Sequence, residues 1–294
     1  MSAYTEDLTP FFADRCWLLV FLARDANVGV ILRRGPSKRW HVTLWDTERD
    51  RFTKGQWFHG QMYPERCDLS PDGKLFIYFA GKHRRRDEDA GYGSTWIAVS
   101  RPPYLTALAL WPIGDTWGGD SVFLDNNTVR IATSTLSWGA ISHPAHPKGP
   151  LNVVEAHSLP KSDARRDAAP SCRSGWLTVS PAGTWKKICG DLTLETTREF
   201  RGGHDRSFYH VYRVLGHPLA TFEAQWADWD QKGRLVATVG GRVLAGKLAK
   251  TRVLWRQLIA LNEEKPAPME APHWAQRWQY PHLSAASTPI NAKK

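Results

Sequence analysis

The side chains in this chain with the clearest chemical potential are cations. Lys82 to Arg86 reads KHRRR, the densest basic run, and Asp87, Glu88 and Asp89 follow it directly. A second cluster, RRGPSKR, gathers Arg33, Arg34, Lys38 and Arg39. Guanidinium and ammonium groups at this density neutralise phosphate, so both clusters are candidates for contact with an anionic polymer or a nucleic acid. The plainer account is a solvated loop in each case, with the first run partly cancelled by its own acids. Tryptophan is the second unusual feature, at 15 residues. A Trp exposed beside basic residues can stack on a base or a sugar face, whereas a buried one wedges neighbouring sheets apart. Trp111, Trp117 and Trp138 stand near Gly114, Gly118, Gly119 and Gly139, and that turn-rich setting places them at the surface. The candidate partner-binding set is therefore Arg33, Arg34, Arg39, Arg84, Arg85, Arg86, Trp111, Trp117 and Trp138.

Signatures of catalysis and metal binding are missing by comparison. His143 and His146 form an HxxH pair, but Pro144 and Pro147 forbid the helix that would aim both rings at one ion. No Cys or carboxylate completes a ligand set nearby. There is no GxSxG, no phosphate-binding P-loop and no GxGxxG opening a helix after a strand. Acidic pairs such as Glu48/Asp50 and Asp228/Asp230 sit in turn signatures, where a carboxylate caps its own turn. Asp120 and Asp125 are the remaining acids that could line a central channel. No catalytic residue, metal or cofactor is assigned.

These side chains must be positioned by short strands. Apolar runs such as VGVIL (28–32), WHVTLW (40–45), LFIYF (75–79), WIAV (96–99) and LVATV (235–239) alternate with Gly, Asp, Asn and Pro clusters. They are rich in the β-branched and aromatic residues that suit a pleated surface. Helical periodicity is scarce. A turn-centred segment recurs in FLARDANVGVIL (21–32), CDLSPDGKLFIYF (67–79), SVFLDNNTVRIA (121–132), WLTVSPAGTWKKI (176–188) and ADWDQKGRLVATV (227–239). Turns centred on Asp25, Asp72, Asn126, Ala182 and Gln231 are spaced by 47, 54, 56 and 49 residues. A hairpin at that period leaves room for two further strands, the content of one four-stranded propeller blade. The expectation is an all-β fold, a β-propeller of about five four-stranded blades; degenerate terminal units would make six or seven.

Some of these segments carry a family likeness. DLSPDGKL (68–75) resembles the strand–turn–strand signature of WD40 and TolB-type β-propellers. VTLWDTERDRF (42–52) is similar to the end of a WD40 blade, with Trp45-Asp46 in the place of the WD dipeptide, and DWDQKGRLVAT (228–238) matches the turn again. The chain departs from WD40 proteins in having one strand-closing WD dipeptide and no Gly-His pair at blade spacing. The resemblance implies a propeller scaffold that presents loops on a stiff base.

Composition bounds the rest. Lys plus Arg is 39 against 29 for Asp plus Glu, a formal charge of +10 that favours acidic partners. With 42% hydrophobic residues the chain is no disordered polymer. The longest early apolar run, CWLLVFLA (16–23), is too short to span a bilayer as a helix, which takes about 20 residues. The N-terminus lacks the pattern of a secretory leader. Cys16, Cys67, Cys172 and Cys189 show no paired spacing, which fits reduced thiols in a cytoplasmic protein; three disulfide pairings remain open. Residues 1–262 are expected to form the propeller, with an irregular insertion near 142–170. Residues 263–294 are expected to be a Pro/Ala-rich extension with an unstructured end. The expected function is a non-catalytic scaffold holding another macromolecule, a protein above all. The alternatives are a propeller-type hydrolase or lyase and a nucleic-acid or anionic-polymer binder.

Overall fold

The computed structural model describes residues 4–14, 16–35, 37–82, 94–132, 149–156, 175–180, 184–201, 204–213 and 218–278. The architecture is all-β, with 56% strand and 6% helix, in five separate sheets. The chain opens with β1 (Tyr4–Thr5). Sheet 1 contains β2 (Trp17–Leu22), β3 (Val28–Arg34), β4 (Arg39–Asp46) and β5 (Arg51–His59) in sequential order. Sheet 2 follows with β6 (Gln61–Met62), β7 (Asp68–Leu69), β8 (Phe76–Gly81), β9 (Thr95–Ser100) and β10 (Ala109–Pro112). Sheet 3 holds β11 (Ser121–Phe123), β12 (Thr128–Ala132) and β13 (Asn152–Ala156). Sheet 4 runs β14 (Leu177–Ser180), β15 (Thr184–Cys189), β16 (Leu192–Arg201), β17 (His204–Arg213) and β18 (Pro218–Ala224). Sheet 5 comprises β19 (Trp226–Trp229), β20 (Leu235–Val239), β21 (Arg242–Ala249) and β22 (Arg252–Ala260), and β1 pairs antiparallel with β22.

Each of the five recurring segments forms an antiparallel hairpin that begins its own sheet: β2–β3, β7–β8, β11–β12, β14–β15 and β19–β20. The turns explain why. In SPDG, the Ser70 hydroxyl donates to Asp72 and accepts the Leu75 amide, while Gly73 takes a positive φ of 72° and donates its N–H to Ser70 O. Asp230 does the same work in DQKG, accepting the amides of Lys232 and Arg234.

Four of these turns lie side by side. The Asp25 amide donates to Pro71 O, the Asp72 amide to the Asn126 side chain, and Gln231 Nε2 to the carbonyls of Ala23 and Val28. First strands also adjoin, β7 against β11, β2 against β7 and β19 against β2. Sheet 4 differs, because its main packing on sheet 5 runs through β17 and β18, against β19, β20 and β22. The core lies between sheets. Trp40, Trp45, Trp111, Trp226 and Trp255 are among its largest fully buried side chains, as wedges would be.

One stretch departs from expectation. Residues 152–156, inside the segment expected to be irregular, form β13, which runs parallel to β12 from Thr128↔Asn152 to Ala132↔Ala156. The Asn152 amide bonded to Asn127 O sets that register. Residues 263–278 return over the body: Glu264 pairs with Lys54 at 2.7 Å, Gln56 donates to Met269 O, and Trp278 donates to Leu108 O at 3.0 Å. Among the described residues no helix is long and apolar enough to cross a membrane.

Candidate functional site

Antiparallel sheets have two ends, and here the ends differ. The turn end carries the four hairpin turns of sheets 1, 2, 3 and 5 and the β4–β5 turn. Several of its charges pair with one another, whereas Arg51, Lys232 and Lys250 are exposed there with no ion pair among the described residues. Arg234 donates to both Asp50 oxygens at 2.8 Å and to the fully buried Asp230 carboxylate at 2.8 Å. Burial alone would raise the Asp50 carboxyl, but Arg234, Trp45 Nε1 and Arg256 outweigh it and hold it below the usual range. The same carboxylate pushes the Arg234 guanidinium upward. Asp46 caps the β4–β5 turn by accepting the amides of Glu48 and Arg49. Asp125 caps its turn through Asn127 and Thr128.

The opposite end is built from the β3–β4 turn, the β5–β6 corner, the β8 and β9 tips and the β10–β11 loop. Arg34, Lys38, Arg39 and Lys82 are exposed there, and none forms an ion pair among the described residues. A chain of backbone contacts gathers them. Arg39 stands opposite His59 in the β4–β5 ladder, and the Gly60 amide donates to Lys38 O at 2.9 Å. Gly60 lies hard against Gly81 O, next to Lys82, so a Cβ there would sit only 2.7 Å from that oxygen. Lys82 in turn bonds Ser94 O, and Ser94 Oγ donates to Gly114 O, the start of the β10–β11 loop. That loop carries Trp117, 72% exposed. Lys38 adopts a φ of 59°, an uncommon conformation for a residue with a Cβ. The Arg34 guanidinium lies 5.7 Å from the Trp40 ring centroid.

Among the described acids at this end Glu263 is exposed, while Asp14, Asp115 and Asp120 are half-buried. Asp14 pairs with Arg242, Asp120 lies 3.3 Å from Arg66, and Asp115 Oδ1 accepts the amides of Trp117 and Gly118. Glu65 stands half-buried beside Tyr63.

The sequence-derived set therefore divides. Arg34 and Arg39 share the basic end with Trp117. Arg33 was expected at the surface and is buried instead, donating to Leu261 O, Gly35 O and Asn262 O and lying 5.2 Å from the Trp57 centroid. The strand period explains the correction, since adjacent residues face opposite sides and Arg33 points where sheet 5 leaves only carbonyls to meet it. Trp111 was also expected at the surface and is fully buried, because it still belongs to β10 and packs among Ile97, Val99 and Ile131. Arg84, Arg85, Arg86 and Trp138 lie outside the described residues, as do His143, His146 and Cys172. Cys16, Cys67 and Cys189 form no disulfide among the described residues.

Two buried polar groups escaped the sequence reading, and a third, Asp228, was expected to cap its own turn but lies buried in β19. Asp68 accepts the Phe123 amide at 2.8 Å and ties sheet 2 to sheet 3. Asp228, five residues before Gly233 as Asp68 is before Gly73, joins sheet 5 to sheet 4 through Lys187 Nζ at 2.7 Å and Trp176 Nε1 at 3.1 Å. Burial pushes its carboxyl up, against the pull of those two donors. The shared offset was the available signal. His41, stacked on Trp57 at 4.6 Å, is lowered to about 4 chiefly by burial. Among the described residues no group of three or more His, Cys, Asp or Glu side chains is placed to hold a metal ion.

No family model and no curated protein matches the chain. Among solved structures it is similar to the uncharacterized protein lmo1340 of Listeria monocytogenes EGD-e, at 6% identity and a TM-score of 0.31 over 85% of each chain. It is also similar to the AtxE2 isopeptidase, at 11% identity and a TM-score of 0.33, covering 87% of this chain and 48% of that one. An acylaminoacyl peptidase shows 9% identity and a TM-score of 0.24, with 84% and 37% covered. The chain thus spans about half or less of either peptidase. Likeness at this level assigns neither fold family nor activity.

Proposed function

We propose that the five sheets are blades of a β-propeller and that the chain is a non-catalytic binding platform for an acidic macromolecule. The row of adjoining first strands and the N-terminal strand added to the last sheet support the blade reading. One observation carries the binding reading: four exposed cations, with no ion-pair partner among the described residues, stand with a 72% exposed Trp at one end of the sheets. Unpaired cations on a stiff base attract an anionic partner and orient it with little ordering cost. The test places a photoreactive phenylalanine analogue at position 117 or, as a control, at position 126 in the turn end, in the full chain within its own host. Macromolecular adducts are expected from position 117 alone. Adducts from position 126 alone, or from neither, overturn the reading.

A further inference from the structure

Resting on that platform reading, we propose that the basic end takes single-stranded nucleic acid, with phosphates on Arg34, Lys38, Arg39 and Lys82 and a base on the Trp117 ring. Cations alone would serve any polyanion. The construction of the Trp117 loop narrows the choice. Its backbone is held on both sides of the ring: Asp115 accepts the amides of Trp117 and Gly118, while Arg66 donates to Thr116 O and Gly118 O. Beneath it, Gly119 at φ 96° presses so close to Phe79 that a Cβ would lie 2.6 Å from the ring. Thr95 Oγ1 bonds Asp115 O and fixes the loop to the β9 tip, beside Lys82. A large aromatic ring is thus held in water on an anchored loop, next to unpaired cations. Alternating phosphate contacts and aromatic stacking is how unpaired strands are gripped without sequence preference, whereas a duplex offers its phosphates but hides its base faces.

The test uses the full-length protein and a fluorescein-labelled oligothymidylate of about 15 nucleotides, read by anisotropy across a salt series. Binding should weaken with salt, and each of R34A, K38A, R39A and K82A should reduce the slope of log affinity against log salt by about 0.7. Trp117→Ala should lower affinity about tenfold and leave that slope unchanged, which a mere loss of charge or fold would not do. Its thermal midpoint should match the parent, and Trp117→Phe should restore most of the affinity. Heparin, which has charge but no bases, should bind with no sensitivity to Trp117→Ala. Equal loss on heparin and oligothymidylate, or a Trp117→Ala variant that binds oligothymidylate as the parent does, overturns the nucleic-acid assignment. So does a position-117 adduct that protease destroys and nuclease leaves intact, and in that case the platform reading stands.

Discussion

At the turn end, Arg234 is clasped by Asp50 and Asp230; at the opposite end, Arg34, Lys38, Arg39 and Lys82 meet no carboxylate among the described residues. Three non-glycine residues take a positive φ: Asp50 at 52° and Lys250 at 55° at the turn end, and Lys38 at 59° at the opposite end. Asp50 offsets its backbone cost with two hydrogen bonds from Arg234, whereas the Lys38 ammonium makes no bond among the described residues. The contrast separates charge that holds the sheets together from charge that is left available.

The sharpest break in this contrast uses two tryptophans six positions apart. Trp111→Ala removes a fully buried ring between sheets 2 and 3 and should cost about 3–5 kcal/mol, measured by denaturant unfolding. Trp117→Ala should change stability by less than about 0.5 kcal/mol. A large stability loss at 117 would mean that its ring is structural.

Next comes Arg234→Ala, which strands the buried Asp230 carboxylate and should cost about 3 kcal/mol. Arg39→Ala at the other end should stay within about 0.5 kcal/mol. Similar costs at both ends would erase the distinction.

A pH titration reaches the layer beneath the basic end. His41 is held neutral, with its value lowered to about 4, so the unfolded chain takes up the proton first as pH falls. This contribution is fully present above about pH 6.5 and is lost progressively down to about pH 4, by about 2 kcal/mol once solvent screening is allowed for. The histidine-specific part should vanish in His41→Gln. Asp50 acts lower, because its depressed carboxyl contributes stability above the usual carboxylate range that is lost as pH falls through its folded value. A His41→Gln chain with the parent's decline between pH 6.5 and 4 would assign the effect elsewhere.

The smallest expected effect is the most diagnostic of unused strain. Lys38→Gly should raise stability by up to about 1 kcal/mol while weakening oligothymidylate binding. Asp50→Gly, which gains the same backbone freedom, should destabilise because it releases Arg234. If both variants gained stability, the Asp50 clasp would be worth less than its geometry suggests.

Local chemistry made much of the fold legible. Each hairpin announced itself, because SPDG, DQKG and DNN turns and alternating apolar residues act within a few positions of one another. The Arg34–Arg39 cluster and Trp117 were visible as candidates for the same reason. Arg33 was not separable from Arg34, nor Trp111 from Trp117. Their fates depend on partners 228 positions away, as between Arg33 and Leu261, or on which strand face another sheet covers. The parallel strand β13 was equally hidden, since no local pattern specifies a partner across a long connection. By itself the sequence determined strands, turns and an excess of cations, all set by neighbours along the chain. Only the tertiary structure decided which charges are neutralised and which stay in water, because that depends on what folding brings alongside them.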